Sequence, residues 1–359
     1  MTDNILIKYG ISERFIQEAT LYPNLVMGRI CSQYKNLYQA VTHRENVSAE
    51  ISGKFRYAAA RLSDYPAVGD FVMLDRSDNK KGNAIIHHVL TRKSSFERKA
   101  IGTENGTQIV AANIDTVFLC MALNNDYNLR RLERYLSIAW DSRAVPVVVL
   151  TKSDICQNLQ EKLAQVSSVA IGVDVLVTSA MPENGYKSIQ LYIKPGKTVA
   201  FIGSSGVGKS TLINRLAGGE ILQTSDIRKD GKGRHTTTRR QLLLLQNGGI
   251  VIDTPGMREL GVESADLSRA FADIDKLSKQ CKFCDCSHQN EPGCAVQRAI
   301  QNGELTEKRL ESYRKLKKEV KYDGMSSRQI ETEKINAMFS SMGGIKNARK
   351  FIKAKSKKR

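Results

Sequence analysis

The sequence predicts a multidomain protein in which a small β-rich segment precedes a parallel α/β domain and a polar helical segment. Short alternating segments separated by turn residues fill residues 25–108, a pattern typical of a small all-β barrel or sandwich. Apolar strands alternate with helices from residue 109, which indicates a parallel sheet covered on both faces. Four cysteines and a histidine cluster after residue 280, which indicates a metal site in the last segment.

The N-terminal half begins with residues 1–24, where one short helix is predicted in SERFIQEATLY. Barrel or sandwich strands are predicted in LVMGRICSQ, NLYQAVT, FRYAAAR, GDFVMLD and AIIHHVL. The basic, polar run LTRKSSFERKA, residues 90–100, is expected to be a linker or loop.

The α/β segment contains a phosphate-binding loop. Residues 203–210, GSSGVGKS, match G-x-x-x-x-G-K-[ST] in full and lie between the apolar strand TVAFI and a helix. In such a loop the backbone N–H groups face phosphates, Lys209 reaches the β- and γ-phosphates, and Ser210 ligates Mg²⁺. The phosphate-binding residues are predicted to be Gly203, Ser204, Ser205, Gly206, Val207, Gly208, Lys209, Ser210 and Thr211.

Two segments after this loop complete the predicted phosphate site. DTPG follows the strand GGIVI, so Asp253 is expected at the Mg²⁺ and the N–H of Gly256 at the γ-phosphate. Between them, KDGKGRHTTTRRQ is expected to be a switch loop in which Thr237 ligates Mg²⁺ only while the γ-phosphate is present. Thr236 is the alternative Mg²⁺ ligand.

A base-binding loop is predicted upstream, in TKSD after the strand VPVVVL. Asp154 would accept hydrogen bonds from guanine N1–H and N2–H₂, and the stem of Lys152 would cover the base. Ser179 and Ala180, after the next strand, would direct a backbone N–H at guanine O6. This loop precedes the phosphate loop in the chain, yet both can contribute to one site. Ligands of open parallel sheets bind beyond the carboxyl ends of the strands, whatever the order of those strands in the chain. The predicted guanine-binding residues are Thr151, Lys152, Ser153, Asp154, Ser179 and Ala180.

The segment CKFCDCSHQNEPGC contains thiolate and imidazole ligands at spacings suited to a structural Zn²⁺. Cys281, Cys286, His288 and Cys294 form one such set, and Cys284 is an alternative to Cys281. Because four protein ligands would fill a tetrahedral site, the metal is expected to stabilise the fold and take no part in catalysis.

Charge and composition narrow the class of protein. The net charge of +18 favours a polyanionic partner, and the sequence has 41% hydrophobic residues. An apolar run long enough to span a bilayer and an N-terminal secretory signal are both missing from the sequence, so a cytoplasmic protein with no membrane partner is expected. The C-terminal run KNARKFIKAKSKKR contains basic residues and no acidic ones, as in tails that contact nucleic acid.

The order TKSD, TSA, GSSGVGKS, RHTTT, DTPG is similar to that of circularly permuted GTPases, and from about residue 25 to 320 the chain resembles the ribosome small-subunit-dependent GTPase A (RsgA) family. The resemblance implies an oligonucleotide/oligosaccharide-binding (OB) barrel, a circularly permuted P-loop GTPase domain and a C-terminal helical zinc-binding domain. We expect the divisions 1–24 (extension), 25–108 (OB barrel), 109–263 (GTPase domain), 264–342 (zinc-binding domain) and 343–359 (basic tail).

The resemblance also implies an activity: hydrolysis of GTP to GDP, stimulated by the small ribosomal subunit during its late maturation. It implies GTP/GDP, Mg²⁺ and one structural Zn²⁺ held by Cys281, Cys286, His288 and Cys294, with the small subunit and its rRNA as partners of a monomer. Met257 stands where many GTPases have a water-positioning Gln, so His235 is expected to act in hydrolysis beside Lys209 and Thr237.

Two questions remain open at this stage: the role of His235 and the class of the whole chain. His235 is either catalytic, an rRNA contact or a solvent-facing side chain. The whole chain is either this GTPase or an RNA-binding module whose nucleotide site is vestigial or specific for ATP. A third alternative for the whole chain is a GTPase that acts on another RNA partner. Hydrolysis assays with small and large ribosomal subunits would distinguish it from a GTPase of the small subunit.

Overall fold

The structure, a computed structural model, describes residues 5–34, 37–99, 106–179, 185–220, 240–253, 267–322, 325 and 327–338. The N-terminal residues form two short helices, α1 Ile5–Lys8 and α2 Glu13–Ala19. These helices pack against the β-barrel formed by the strands that follow. Phe15 of α2 is 1% exposed, and its ring lies 4.2 Å from that of Phe71. The helix predicted in SERFIQEATLY is therefore present as α2.

The next strands form a closed barrel. They are β1 Val26–Tyr34, β2 Leu37–Thr42, β3 Asn46–Ile51, β4 Phe71–Leu74 and β5 Ala84–Val89. β1 pairs with both β2 and β4, and β3 pairs in parallel with β5, so the hydrogen-bonded ladder closes on itself. Fully buried side chains such as Ile30, Val47 and Ile86 fill the interior. The predicted barrel is confirmed.

One predicted strand of the barrel is wrong. FRYAAAR lies largely in helix α3, Gly53–Ala58, which connects β3 to β4. The reason is local: the Ser52 hydroxyl accepts a hydrogen bond from the Phe55 amide at 2.9 Å, which satisfies a donor that a helix start otherwise leaves unpaired. Strand β3, which has no predicted counterpart, occupies the corresponding place in the barrel.

A second correction concerns the expected linker at residues 90–100. Strand β6, Ser95–Lys99, lies within it and pairs antiparallel with β7, Thr107–Ala112. Phe96 is 1% exposed and packs into the core of the α/β domain, so this polar run is held by one large apolar side chain. β7 also spans the expected boundary between residues 108 and 109; the domain boundaries remain predictions.

The α/β domain has the predicted parallel sheet. Its strands are β8 Thr116–Ala122, β9 Val145–Thr151, β10 Asp174–Val177, β11 Thr198–Ile202, β12 Arg240–Leu244 and β13 Ile250–Asp253. Its helices are α4 Leu129–Asp141, α5 Leu159–Val169, α6 Lys187–Gln190 and α7 Lys209–Ala217. The sheet order is β10-β9-β8-β11-β13-β12, and separate apolar clusters cover its two faces.

Strand β12 departs from the parallel arrangement. It is antiparallel to β13 because only a short connection joins the two strands, and parallel neighbours need a long crossover. Its other edge pairs with β1 of the barrel, Ser32 opposite Gln241, so the barrel and the α/β sheet share one continuous ladder.

The C-terminal segment is helical, as predicted. Its helices are α8 Leu267–Ala270, α9 Ala272–Ser278, α10 Ala295–Gln301, α11 Glu307–Lys321 and α12 Ser327–Met338. Arg309 of α11 is buried and its guanidinium lies 2.7 Å from Glu133 of α4, so the segment is anchored to the α/β domain. Among the described helices, none combines the length and apolarity needed to cross a bilayer.

Candidate nucleotide site and metal centre

The predicted nucleotide-binding segments meet at one edge of the sheet. β9, β10, β11 and β13 belong to its parallel part, so their carboxyl ends point the same way. TKSD begins with the last residue of β9, Ser179 follows β10, the phosphate loop follows β11, and Asp253 is the last residue of β13. The order of these segments in the chain therefore differs from their arrangement in space.

The phosphate loop curls tightly between β11 and α7. Gly208, at φ 100°, has a backbone conformation that other residues rarely adopt, and Lys209 begins α7 directly after it. The Lys209 ammonium donates hydrogen bonds to the carbonyls of Gly203 and Ser204, at 2.6 and 2.7 Å. The cation is thus held across the mouth of the loop, where phosphate oxygens would meet it.

Thr151 joins the base-binding loop to the phosphate loop. Its buried hydroxyl donates a hydrogen bond of 2.7 Å to the carbonyl of Val207. Val207 belongs to the phosphate loop, so this hydrogen bond joins the two loops directly. The two loops are therefore held together before any ligand arrives.

Asp154 and Ser179 are brought together as the sequence predicts. The Ser179 hydroxyl donates to a carboxylate oxygen of Asp154 at 2.5 Å, which fixes the orientation of the group that would pair with guanine. Lys152, just before it, has the left-handed φ of 59° and starts the short 3-10 turn Ser153–Ile155. This turn directs the Asp154 side chain back toward Ser179.

A residue that the motifs do not include also contacts the phosphate loop. Asp126, in the loop between β8 and α4, accepts a hydrogen bond from the Ser204 hydroxyl. Its other carboxylate oxygen lies 2.7 Å from the guanidinium of Arg131 in α4. No sequence motif indicates Asp126, because the contact joins positions far apart in the chain.

The expected Mg²⁺ ligands are placed only in part. Ser210 lies in the first turn of α7 and Asp253 at the end of β13, so a hydroxyl and a carboxylate are present on adjoining elements. Oxygen donors of this kind suit Mg²⁺. Thr237 and its alternative Thr236, together with His235, Gly256 and Ala180, lie outside the described residues.

The Cys/His segment folds into a compact cluster. The ligand atoms of Cys281, Cys286, His288 and Cys294 all lie within 4.8 Å of one another. Nδ1 of His288 is 3.6 Å from the Cys281 sulfur and 3.5 Å from the Cys294 sulfur. Cys284, the alternative ligand, is exposed and does not belong to this cluster.

The donor set of this cluster fits Zn²⁺, which prefers four soft or borderline ligands in a tetrahedron. The backbone around His288 is also fixed: its carbonyl accepts hydrogen bonds from Gln297, at 2.6 Å, and from Arg314. These contacts hold the backbone segment from which the His288 side chain extends.

The fold and the site together define a circularly permuted P-loop GTPase, in which the base-binding loop precedes the phosphate loop. Comparison with known proteins gives the family: an RsgA GTPase family model matches residues 89–263. A small ribosomal subunit biogenesis GTPase RsgA 2 from Lactiplantibacillus plantarum is 49% identical over 354 residues, 98% of each chain. An RsgA from Methanosarcina acetivorans is 42% identical, over 95% of this chain and 93% of that one. The chain belongs to the RsgA family.

Solved structures agree with this assignment. YjeQ from Thermotoga maritima is 29% identical, with a TM-score of 0.61 over 82% of this chain and 98% of that one. YloQ, described as a circularly permuted GTPase, has a TM-score of 0.59 over 83% and 95% at 24% identity, which supports the fold.

Proposed function

We propose that this chain binds the small ribosomal subunit through its rRNA and hydrolyses GTP to GDP and phosphate, stimulated by the subunit, during late subunit maturation. The observation that carries the proposal is the linkage of Asp154, Thr151 and the phosphate loop at one sheet edge. The names of the relatives support the subunit as the partner.

Guanine selectivity would come from Asp154. Its carboxylate accepts hydrogen bonds only, so it suits the paired N–H donors of guanine and not adenine. Ser179 uses one oxygen at 2.5 Å, and this bond holds the carboxylate in place for the base.

Phosphate binding and Mg²⁺ would depend on Lys209, Ser210 and Asp253. Lys209 already spans the loop through its two carbonyl contacts, so its charge is oriented toward incoming phosphates. Mg²⁺, when bound, neutralises charge on the phosphates. Thr237, with Thr236 as the alternative, would complete its ligands in the triphosphate state.

Water positioning is assigned to His235, since Met257 has no hydrogen-bonding group suited to it. Without a built-in Gln, basal turnover should be slow and should rise when the subunit binds. The zinc cluster would stabilise the C-terminal helices, whose surface, with the barrel and the basic tail, would contact rRNA.

One set of assays tests this proposal. The full chain should bind a GTP analogue far better than an ATP analogue, and Asp154→Asn should remove most of that preference. Asp174→Asn is the control, because Asp174 lies on the same sheet but accepts a hydrogen bond from the Tyr192 hydroxyl. Equal binding of both nucleotides would indicate an RNA-binding module with a vestigial or ATP-directed site.

Hydrolysis should then be followed with small and with large ribosomal subunits. Stimulation by small subunits, lost in His235→Ala, is the expected result. Stimulation by large subunits alone would identify another RNA partner, and full stimulation in His235→Ala would exclude the catalytic role of the histidine.

A further inference from the structure

The barrel has a cavity that is separate from the nucleotide site and from the zinc cluster. It measures about 520 Å³ and lies between α3 and β5. Pockets of about 300–1,000 Å³ are the size that small ligands occupy, so there is room for one nucleotide. Its walls include Lys54, Phe55, His88 and Leu90.

Flat rings line this cavity. His88 is stacked on Tyr22, with the ring centres 4.3 Å apart and 29° between the planes. Tyr22 therefore covers one face of the imidazole and fixes its plane, while the side chain as a whole stays exposed. Phe55 is held edge-on against Tyr65, 6.1 Å away. A planar ligand in this cavity would have the His88 and Phe55 rings among its walls.

Burial, with His87 and Lys54 nearby, lowers the pKa of His88 below its ordinary value. This direction favours the uncharged imidazole, which offers a ligand its flat surface.

Charged side chains of both signs lie at the cavity wall. Helix α3, GKFRYA, contains Lys54 and Arg56 and no acidic residue. The carboxylate of Asp64, at the cavity wall, is occupied by the amides of Ala60 and Arg61, at 3.0 and 2.9 Å. Arg92, also at the wall, is paired with Asp70. These hydrogen bonds leave the charge of Asp64 in place, and Lys54, exposed at the cavity wall, is a cation that a phosphate could contact.

Helix α3 also has an exposed aromatic side chain outside the cavity lining. Tyr57, on the same helix, is 94% exposed, which is unusual for so large a ring. Rings of this kind are stacking platforms for unpaired bases when cations for the phosphates lie nearby.

The sheet face formed by β2 and β3 is a poorer candidate for the same ligand. Neither LYQAVT nor NVSAEI contains Lys or Arg, and β3 contributes Glu50. Since affinity for nucleic acid depends on phosphate neutralisation, the α3 side of the barrel is favoured over this face.

We propose that the cavity between α3 and β5 binds one unstacked base of single-stranded RNA, with the base against His88 and Phe55 and a flanking phosphate at Lys54. This rests on the proposed function, in which the partner is ribosomal RNA. Tyr57 stacks on the neighbouring base.

The test uses the full chain and a fluorescein-labelled single-stranded oligouridine, with binding followed by anisotropy between about 50 and 200 mM salt. His88→Ala and Tyr57→Ala should each weaken binding roughly tenfold without changing its salt dependence, because stacking involves no counterion release. Lys54→Ala should weaken binding and reduce the salt slope by about 0.7.

Matched controls lie on other loops of the barrel. His43→Ala and Lys80→Ala remove an exposed histidine and an exposed lysine away from the cavity, and both should bind as the unsubstituted chain does. A second oligonucleotide, with 2-aminopurine at its centre, should lose emission on binding to the unsubstituted chain and regain it in His88→Ala.

Each other outcome has a defined meaning. Unchanged binding and unchanged quenching in His88→Ala and Tyr57→Ala would overturn the base pocket. Weaker binding of these variants to small subunits, with oligouridine binding intact, would also overturn it and indicate a ribosomal protein at this surface. Failure of the unsubstituted chain to bind small subunits would refute the proposed function, and the oligouridine result would still decide the pocket.

Discussion

Asp126 is the residue through which the phosphate loop is tied to the rest of the α/β domain. It accepts from the Ser204 hydroxyl and is paired with Arg131, so its charge is balanced while its position is fixed. Ser204 in turn has its carbonyl bonded to the Lys209 ammonium. A substitution at Asp126 should therefore alter the position of the Lys209 ammonium, which is expected to contact the phosphates.

Ser204→Ala should weaken binding of a GTP analogue severalfold, because a hydrogen bond to a charged partner contributes about 1.5–3 kcal/mol and part of that would be lost from the loop. In an Asp126→Ala background the same substitution should have almost no effect. Titration of a fluorescent GTP analogue measures the effect of Ser204→Ala in the unsubstituted chain and in the Asp126→Ala variant, which together form a double-mutant cycle. Ser168→Ala, on α5, is the control, and equal effects of Ser204→Ala in both backgrounds would show that the contact does not shape the loop.

Asp115 gives the stability of this domain a dependence on pH. Burial alone would raise its pKa, but the Lys93 ammonium at 2.8 Å and the Thr198 amide outweigh it and hold the pKa below its ordinary value. A carboxylate with a depressed pKa stabilises the fold above its unfolded pKa, about 3.9, and loses that contribution as the pH falls through the folded pKa.

Asp115→Asn should therefore lower the free energy of unfolding by about 1–3 kcal/mol at neutral pH and by less as the pH falls below about 4. Urea unfolding at a series of pH values measures this. Asp78, whose carboxylate accepts a hydrogen bond from the Lys80 amide two residues later, is the control, and Asp78→Asn should have little effect at any pH. A difference that stayed constant down to acid pH would contradict the assignment.

At the scale of elements, α4 and α11 hold the C-terminal helices to the sheet. Arg309 is 5% exposed in its side chain and Glu133 3%, and their closest atoms are 2.7 Å apart. Arg309 also pairs with Asp273 and lies over the Phe271 ring at 4.3 Å. By contrast, the pair Arg130–Glu311 between the same helices is more than half exposed on both sides.

Arg309→Met should destabilise the chain by about 3–5 kcal/mol, because Glu133 would be left buried without its partner. Adding Glu133→Leu should recover much of this loss, since the uncompensated charge is then removed. Thermal unfolding is the measurement. Arg130→Met should cost no more than about 1 kcal/mol, as for exposed pairs; an equal cost for the two arginines would refute the distinction.

The sequence is enough to predict those elements whose hydrophobic pattern is strong. The buried runs in β8, β9 and β11 can be nothing but core strands in an α/β alternation, and the nucleotide motifs follow directly from their ends. FRYAAAR is predicted as a strand because it continues a series of short segments separated by turns, but the Ser52 cap begins a helix there. β3, NVSAEI, has few strand-forming residues and exists because β2 and β5 pair with it.

The candidate site was predictable where its residues are local in sequence. Asp154 and Ser179 meet because each follows a strand of the same sheet. The Asp126 contact depends on the path of the β8–α4 loop, which no periodicity or motif encodes. The cavity beside α3 could not be foreseen, since the helix itself was not.

For the whole molecule, Arg29 connects the N-terminal segment, the barrel and the α/β sheet. It is 1% exposed, and its guanidinium donates to the carbonyls of Tyr9 and Gly69 and to the Thr198 hydroxyl. Burial lowers its pKa to about 10, so it stays charged at neutral pH. Thr198 begins β11, which leads into the phosphate loop, and β1 pairs with β12. Under the proposed function, a shift of the barrel on rRNA would act on β11 through these contacts.

Arg29→Met should reduce the stimulation of GTP hydrolysis by small subunits, expressed as the ratio of stimulated to basal rate, because the barrel and β11 lose their shared contact. Multiple-turnover phosphate release measures both rates. Arg76→Met is the matched control, since Arg76 lies on the same barrel but pairs only locally, with Asp75 and the Lys81 carbonyl. If Arg29→Met lowered the melting temperature yet kept the full ratio, the arginine would serve folding alone, and subunit binding would have to reach the phosphate loop by another path, such as Arg309 and α4.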